Sequence, residues 1–299
     1  MRYTLYVILA LSVFSSCQEN LDLNRIEGEE KLVVYSFPST NDTIFIRVSK
    51  SLPTNSDKEQ FFKIKEVKFA VNGKQEPVEY KGKGNDQLLS EVYYVTGRCN
   101  IGDTVDLEVS ADDLASVHSS AVIPPKPEIV STVVDTVFVK GKWFTQLRLE
   151  FKNVAYTAYF AVRVIGVEQT EISTREEIQS IDTENEPLLN GHSDADINFG
   201  NSNDYYHDMY IFDNSEIKDH TYTLHLNTPY RNYIPRYKIQ LFRITGDYYR
   251  FLKSLNDIDN NDLSNYGVSL MTPTYTNIIN GIGVMGSYNV VESPWVGEK

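Results

Sequence analysis

Cysteine is nearly missing from this chain: only Cys17 and Cys99 occur in 299 residues. One pair of thiols cannot build a disulfide framework, so the cores must hold by burial of apolar side chains. Positive charge is also in deficit, with 28 Lys and Arg against 41 Asp and Glu and a formal net charge of -13. A surface so acidic repels phosphate backbones, which removes nucleic acid from the expected partners. Long hydrophobic runs are lacking too. The N-terminal run Leu5 to Phe14 has about ten residues, where a membrane-spanning helix takes roughly 20. Missing as well are a nucleophile elbow, an HExxH helix, a paired CxxC and a phosphate loop. The chain therefore reads as a non-enzyme with no cofactor and no bound metal.

What stands at the N-terminus is an address. Arg2, the apolar run and the small-residue close Ser15-Ser16-Cys17 suit a secretory signal over residues 1–16. A cysteine directly after the small residues, followed by Gln18-Glu19-Asn20, resembles the bacterial lipoprotein signal, in which that cysteine is acylated and becomes the first residue. Cys17 is then the lipid attachment point, and the membrane is reached through that anchor. Residues 17–30 are polar and acidic without apolar period and read as a flexible tether.

Twenty Tyr and fourteen Phe beside four Met point to β-structure, where aromatic and β-branched side chains fit the pleated surface. From Lys31 apolar residues alternate with polar ones: Val33, Tyr35 and Phe37, then Ile44, Ile46 and Val48, then Val67, Phe69 and Val71. Asn72-Gly73 is a hairpin turn, predicted to join this last strand to one around Pro77 to Tyr80. Val92 to Val95 and Val105, Leu107 and Val109 complete a set spaced like a sandwich. The fold class is mainly β, with an immunoglobulin-like β-sandwich over residues 31–124. Pro124-Pro125-Lys126-Pro127 interrupts the pattern and sets the boundary. Residues 125–299 form a second β-rich domain with one or two short helices. Its strands cover Thr132 to Val139 and Phe144 to Phe151 around Lys140-Gly141-Lys142, Tyr159 to Val167, Tyr222 to Leu226, Tyr237 to Ile244, and Thr274 to Val291 with a glycine-rich interruption. Residues 168–208 read as a long polar loop in which Thr174-Arg175-Glu176-Glu177 fits a capping box. A helix near 247–256 places Tyr248, Phe251, Leu252 and Leu255 on one face, with Asp247 as N-cap.

Few residues invite chemistry. Gly281-Ile282-Gly283-Val284-Met285-Gly286 matches a dinucleotide fingerprint in letters, yet Tyr288 to Val291 continues as strand and the chain ends before the required acid. Those glycines serve a bulge or close packing against the second sheet. Asp194-Ala195-Asp196 begins like a calcium loop, but Phe199 and Tyr205 stand where Gly and Glu belong. His220 and His225 are an odd distance apart, which puts them on opposite faces of a strand. Tyr205, Tyr206, Tyr210, Tyr230 and Tyr233 border polar connections and read first as cross-strand packing, the alternative being an aromatic ligand or partner surface for a sugar, peptide or receptor loop.

Lys31-Leu32-Val33-Val34, Gly102-Asp103-Thr104-Val105 leading to Ser120-Ala121-Val122-Ile123-Pro124, and Asp247-Tyr248-Tyr249-Arg250-Phe251-Leu252 followed by Pro273 and Asn277 to Gly286 together resemble one family. It is the Bacteroidetes outer-membrane lipoprotein family known as domain-of-unknown-function family four-two-four-nine. Met285 and Tyr35-Ser36 depart from its usual residues. The resemblance implies an outer-membrane protein, on the cell surface or periplasmic face, often encoded beside TonB-dependent receptors, and brings no catalytic residues. The expected role is an accessory or ligand-capture partner of such a transporter. The alternative is a structural or adhesive surface protein that binds a host or neighbouring polymer.

Overall fold

The computed structural model describes residues 30–40, 43–51, 62–84, 90–97, 99–169, 174–189, 209–232, 234–259 and 274–297. Cys17, the signal, most of the tether and the Asp194 to Asn198 stretch lie outside these residues. The chain is mainly β, as the alternation predicts.

The first half supplies β1 (Leu32–Ser36), β2 (Thr43–Lys50), β3 (Ile64–Val71), β4 (Lys74–Glu76), β5 (Glu79–Lys83), β6 (Glu91–Thr96), β7 (Thr104–Ala111) and β8 (Val117–Val122). Two sheets result, with orders β4-β3-β7-β8 and β1-β2-β6-β5. Leu32, Val34, Ile44, Ile46 and Val48 from one meet Phe69, Val105, Leu107 and Val109 from the other in a single core. Asn72 and Gly73, both at positive φ, form the expected tight turn. Its partner strand is β4, three residues long, and not the stretch from Pro77 to Tyr80. Pro77 has no N–H to give a ladder, and the chain there leaves one sheet to join the other as β5. Cys99 is buried beside Val95 and Val105 as a free thiol.

The second half supplies β9 (Ile129–Val139), β10 (Lys142–Lys152), β11 (Tyr159–Gln169), β12 (Thr174–Gln179), β13 (Tyr210–Asp213), β14 (Thr221–Pro229), β15 (Arg236–Ile244), helix α1 (Gly246–Asp259), β16 (Ile282–Met285), β17 (Tyr288–Glu292) and β18 (Val296–Gly297). The sheet β14-β10-β9 faces the sheet β12-β11-β15-β17, to which β13 and β18 add. Leu147, Leu149 and Phe151 meet Phe160, Val162, Ile239 and Leu241 between them.

Three expectations change here. Thr174 to Gln179 is strand, not helix: Ile178 pairs with Ile165 and Gln179 with Val164, and the ladder outweighs a local capping signal. Asp247 is not the N-cap; Tyr249 N–H donates to the Thr245 carbonyl at 2.9 Å, and Asp247 sits in the first turn, taking hydrogen bonds from Arg250 and Tyr275. The glycine-rich strand β16, which falls in residues 125–299, runs parallel to β1 and extends the first sheet. Gly283, at φ +105, lies so close to Val34 that a Cβ would stand 2.1 Å from its carbonyl oxygen. Close packing is the expected use of these glycines, but the neighbour is the first sheet.

Helix α1 ties the two halves together. Tyr248 packs on Phe37, Phe251 on Tyr35, and Tyr249 stacks on Tyr159. The proline stretch is pinned as well, because Asn289 Nδ2 donates to the Pro124 carbonyl while Asn289 Oδ1 accepts from Thr40.

Candidate functional site

The geometry that singles out one place on the molecule begins with a two-residue turn. Lys140 and Gly141 both adopt positive φ, at 49 and 82°, the turn whose twist matches two antiparallel strands. The strands it joins, β9 and β10, have eleven residues each and are exposed at the turn end. Along their inward face the register pairs Thr132 with Leu149, Val134 with Leu147, Thr136 with Thr145 and Phe138 with Trp143. Leu149, Leu147 and Thr145 are buried, whereas Phe138 is 59% and Trp143 58% exposed. The two rings pack on each other with centroids 5.0 Å apart. The hairpin therefore carries an aromatic pair past the end of the sandwich on the face that elsewhere packs the core.

Tyr230, also exposed, joins this pair: its N–H donates to the Trp143 carbonyl at 3.3 Å. Beside them a concavity of about 480 Å³ opens between the sheets, lined by Val134, Thr136, Thr145, Tyr230, Ile234 and Tyr237. Thr145 Oγ1 and the Tyr237 hydroxyl lie 3.3 Å apart in its inner wall. Burial pushes the Tyr237 hydroxyl above its ordinary range, so it stays a neutral donor. Asp135, at the rim, is engaged by Arg148. Gly297 of β18 closes one side; at φ +116, its Cβ would meet the Pro235 carbonyl oxygen at 2.2 Å, so no side chain fits there. Exposed rings beside neutral hydroxyls suit stacking and hydrogen bonding to a ligand with apolar faces and hydroxyl or amide edges.

Of the tyrosines proposed from sequence, Tyr230 stands at this site. Tyr210 does not: it is 4% exposed in β13, its ring is in the core, and its hydroxyl accepts the Ile181 N–H at 2.8 Å. Tyr205, Tyr206 and Tyr233 lie outside the described residues. Phe138 and Trp143 were not anticipated, although two aromatics flanking a Lys-Gly turn were visible as a signal. His220 precedes β14, and His225 lies within it with Nδ1 3.7 Å from Glu186 Oε2. Glu186 is fully buried and accepts hydrogen bonds from the Tyr222 hydroxyl and the N–H groups of His225 and Leu188. Burial and the Glu186 carboxylate push the Tyr222 hydroxyl well above its ordinary value. This cluster clips the 183–189 segment to β14.

The profile of one family, described as a domain of unknown function (DUF4249), matches residues 18–293. The chain belongs to DUF4249. The match covers both sandwiches of this DUF4249 protein and the helix between them. No curated protein matches the chain.

Proposed function

We propose that this DUF4249 chain is a non-enzymatic lipoprotein of the outer membrane, anchored through Cys17, that captures an organic ligand for a TonB-dependent transporter. The observation that carries the capture step is the overhanging hairpin, which leaves Phe138, Trp143 and Tyr230 exposed beside a concavity with a hydroxyl-bearing wall. Aromatic faces of this kind receive the apolar side of a sugar ring or a peptide side chain. The anchor is supported by the N-terminal pattern of Arg2, a short apolar run and Ser15-Ser16-Cys17. Among the described residues no helix is long and apolar enough to cross a membrane.

Trp143 and Trp295 are the two tryptophans, so Trp295→Phe leaves Trp143 as the sole indole reporter. Titrating glycan and peptide panels against that variant should shift its emission saturably with at least one class, and Trp143→Ala should abolish binding with the fold intact. A tagged protein isolated in mild detergent should bring an outer-membrane receptor with it, and isolation of the protein without any receptor would refute the transporter role. One feature favours the adhesive alternative. Strand β9 stands at the edge of its sheet with Val130, Val133 and Phe138 exposed, a surface suited to adding a partner's strand. Loss of attachment with normal nutrient growth in a deletion strain would select that alternative.

A further inference from the structure

Arg243 occupies an unusual position. It lies in β15, in register with Phe160 on one side and Asn289 on the other, and is 6% exposed. A guanidinium stays charged under all ordinary conditions, and burying that charge is costly unless an opposite charge or hydrogen-bond acceptors compensate. Two other partly buried cations have such partners: Arg163 donates to Gln240, and Lys238 pairs with Glu292. Arg243 has rings instead. Its guanidinium carbon is 4.7 Å from the centroid of Phe160 and 5.3 Å from that of Tyr156. Among the described residues it forms no ion pair and its side chain donates no hydrogen bond. Its nitrogens are nevertheless not sealed from solvent. Aromatic faces hold the cation in place but leave its forked donors unused.

The ring over it leads to a cavity. Tyr156 is 56% exposed and also lines a concavity of about 380 Å³ with Asn153, Asn214, Lys218, Asp219 and His220. The loop bearing Tyr156 is held firmly. Asn214 Nδ2 donates to Asn153 Oδ1 and to the carbonyls of Val154 and Tyr156, and Asn214 Oδ1 accepts from the Ala158 N–H. Asn153 Nδ2 in turn donates to the carbonyls of Ile217 and Asp219. Lys218 and Asp219 line the concavity side by side, and Arg243 lies behind Tyr156, outside the lining.

We propose that Arg243, reached beneath Tyr156 and assisted by Lys218, binds a small oxyanion, the carboxylate or phosphate of an organic ligand. Planar forked donors match either group in a two-point hydrogen bond. The site is separate from the aromatic one: Thr145 lines that concavity and Asn153, just past the other end of β10, lines this one, about 26 Å along the strand. Failure of one proposal leaves the other standing.

The test uses the full chain in detergent, titrated calorimetrically with sodium succinate and, separately, sodium phosphate against sodium chloride at matched ionic strength. Saturable one-to-one binding of succinate alone identifies a carboxylate site, and of phosphate alone a phosphate site. Arg243→Met keeps the apolar packing and should weaken binding at least tenfold with an unchanged far-ultraviolet spectrum. Should that variant not fold, Lys218→Ala decides, since it alters only the mouth and should weaken binding several-fold. The proposal is overturned if neither anion binds saturably, if Arg243→Met folds and binds as the unaltered chain does, or if Lys218→Ala leaves the affinity unchanged.

Discussion

Replacing Gly283, inside strand β16, by alanine should damage this protein far more than the same change at a turn glycine, and the reason can be worked through. The φ of +105 is a region that side-chain-bearing residues enter only under strain, at a cost of about 1–3 kcal/mol. The added Cβ would also stand 2.1 Å from the Val34 carbonyl oxygen and 2.9 Å from its carbonyl carbon. Both are backbone atoms of the strand to which β16 is paired, so no side-chain rotation relieves the clash. Relief requires β16 to move away from β1. That loosens Val284 and Met285, each fully buried, and a side chain of that size contributes about 1.5–3 kcal/mol through burial. Strain plus partial loss of those contacts comes to about 3–6 kcal/mol, a large share of the roughly 5–15 kcal/mol that holds a typical domain folded. Gly73 is the control. It too has positive φ, +79, but nothing lies within 4 Å of its would-be Cβ, so Gly73→Ala should cost only about 1–2 kcal/mol. Urea unfolding followed by circular dichroism and by tyrosine fluorescence measures both. A Gly283→Ala protein within about 1 kcal/mol of Gly73→Ala would refute the argument and with it the tight β1–β16 junction.

Three other outcomes follow from the same structure. A fragment of residues 31–124 lacks β16 and exposes the edge of β1, so it should bind hydrophobic dyes and self-associate; a dispersed, monomeric NMR spectrum would contradict this. Glu186→Ala leaves the Tyr222 hydroxyl and two N–H groups without their acceptor and should cost about 2–4 kcal/mol, while Tyr222 titrates nearer its ordinary value in an ultraviolet pH scan. Cys99 has its thiol pushed up to about 11, by burial first and then by Asp103 and Glu76, so it should resist thiol reagents at pH 8 until the protein unfolds. Its folded value lies above the unfolded one of 9.0, so the folded state holds the proton more tightly. This contribution to stability is complete below about pH 9 and is lost as pH rises toward about 11, which a Cys99→Ala comparison of unfolding against pH isolates.

What could be read from the sequence was what is decided locally. The alternation in Val105, Leu107 and Val109 gives β7, Asn72-Gly73 gives a turn, and the spacing of Tyr248, Phe251 and Leu252 gives α1, because each signal is contained within a few residues. The same locality misled at Thr174 to Glu177, where a good capping box lost to a ladder with β11 that no window of that size contains. At Tyr210 a local reading leaves two roles open, since whether a tyrosine serves a ligand or the core depends on where its hydroxyl finds a partner, here the N–H of Ile181. The strands β1 to β8 before the proline stretch and β9 to β15 after it join different sheets, yet the chain returns: Gly283 sits beside Val34 after nearly the whole protein has intervened. The aromatic site is of this non-local kind. Phe138 and Trp143 occupy positions that the period-two pattern assigns to the buried face, and they are exposed beside the Lys140-Gly141 turn while Leu147 and Leu149 farther along are buried. The end of a hairpin thus turns core-patterned residues into surface ones, and only the assembled sheet reveals that Tyr230 is delivered to the same edge.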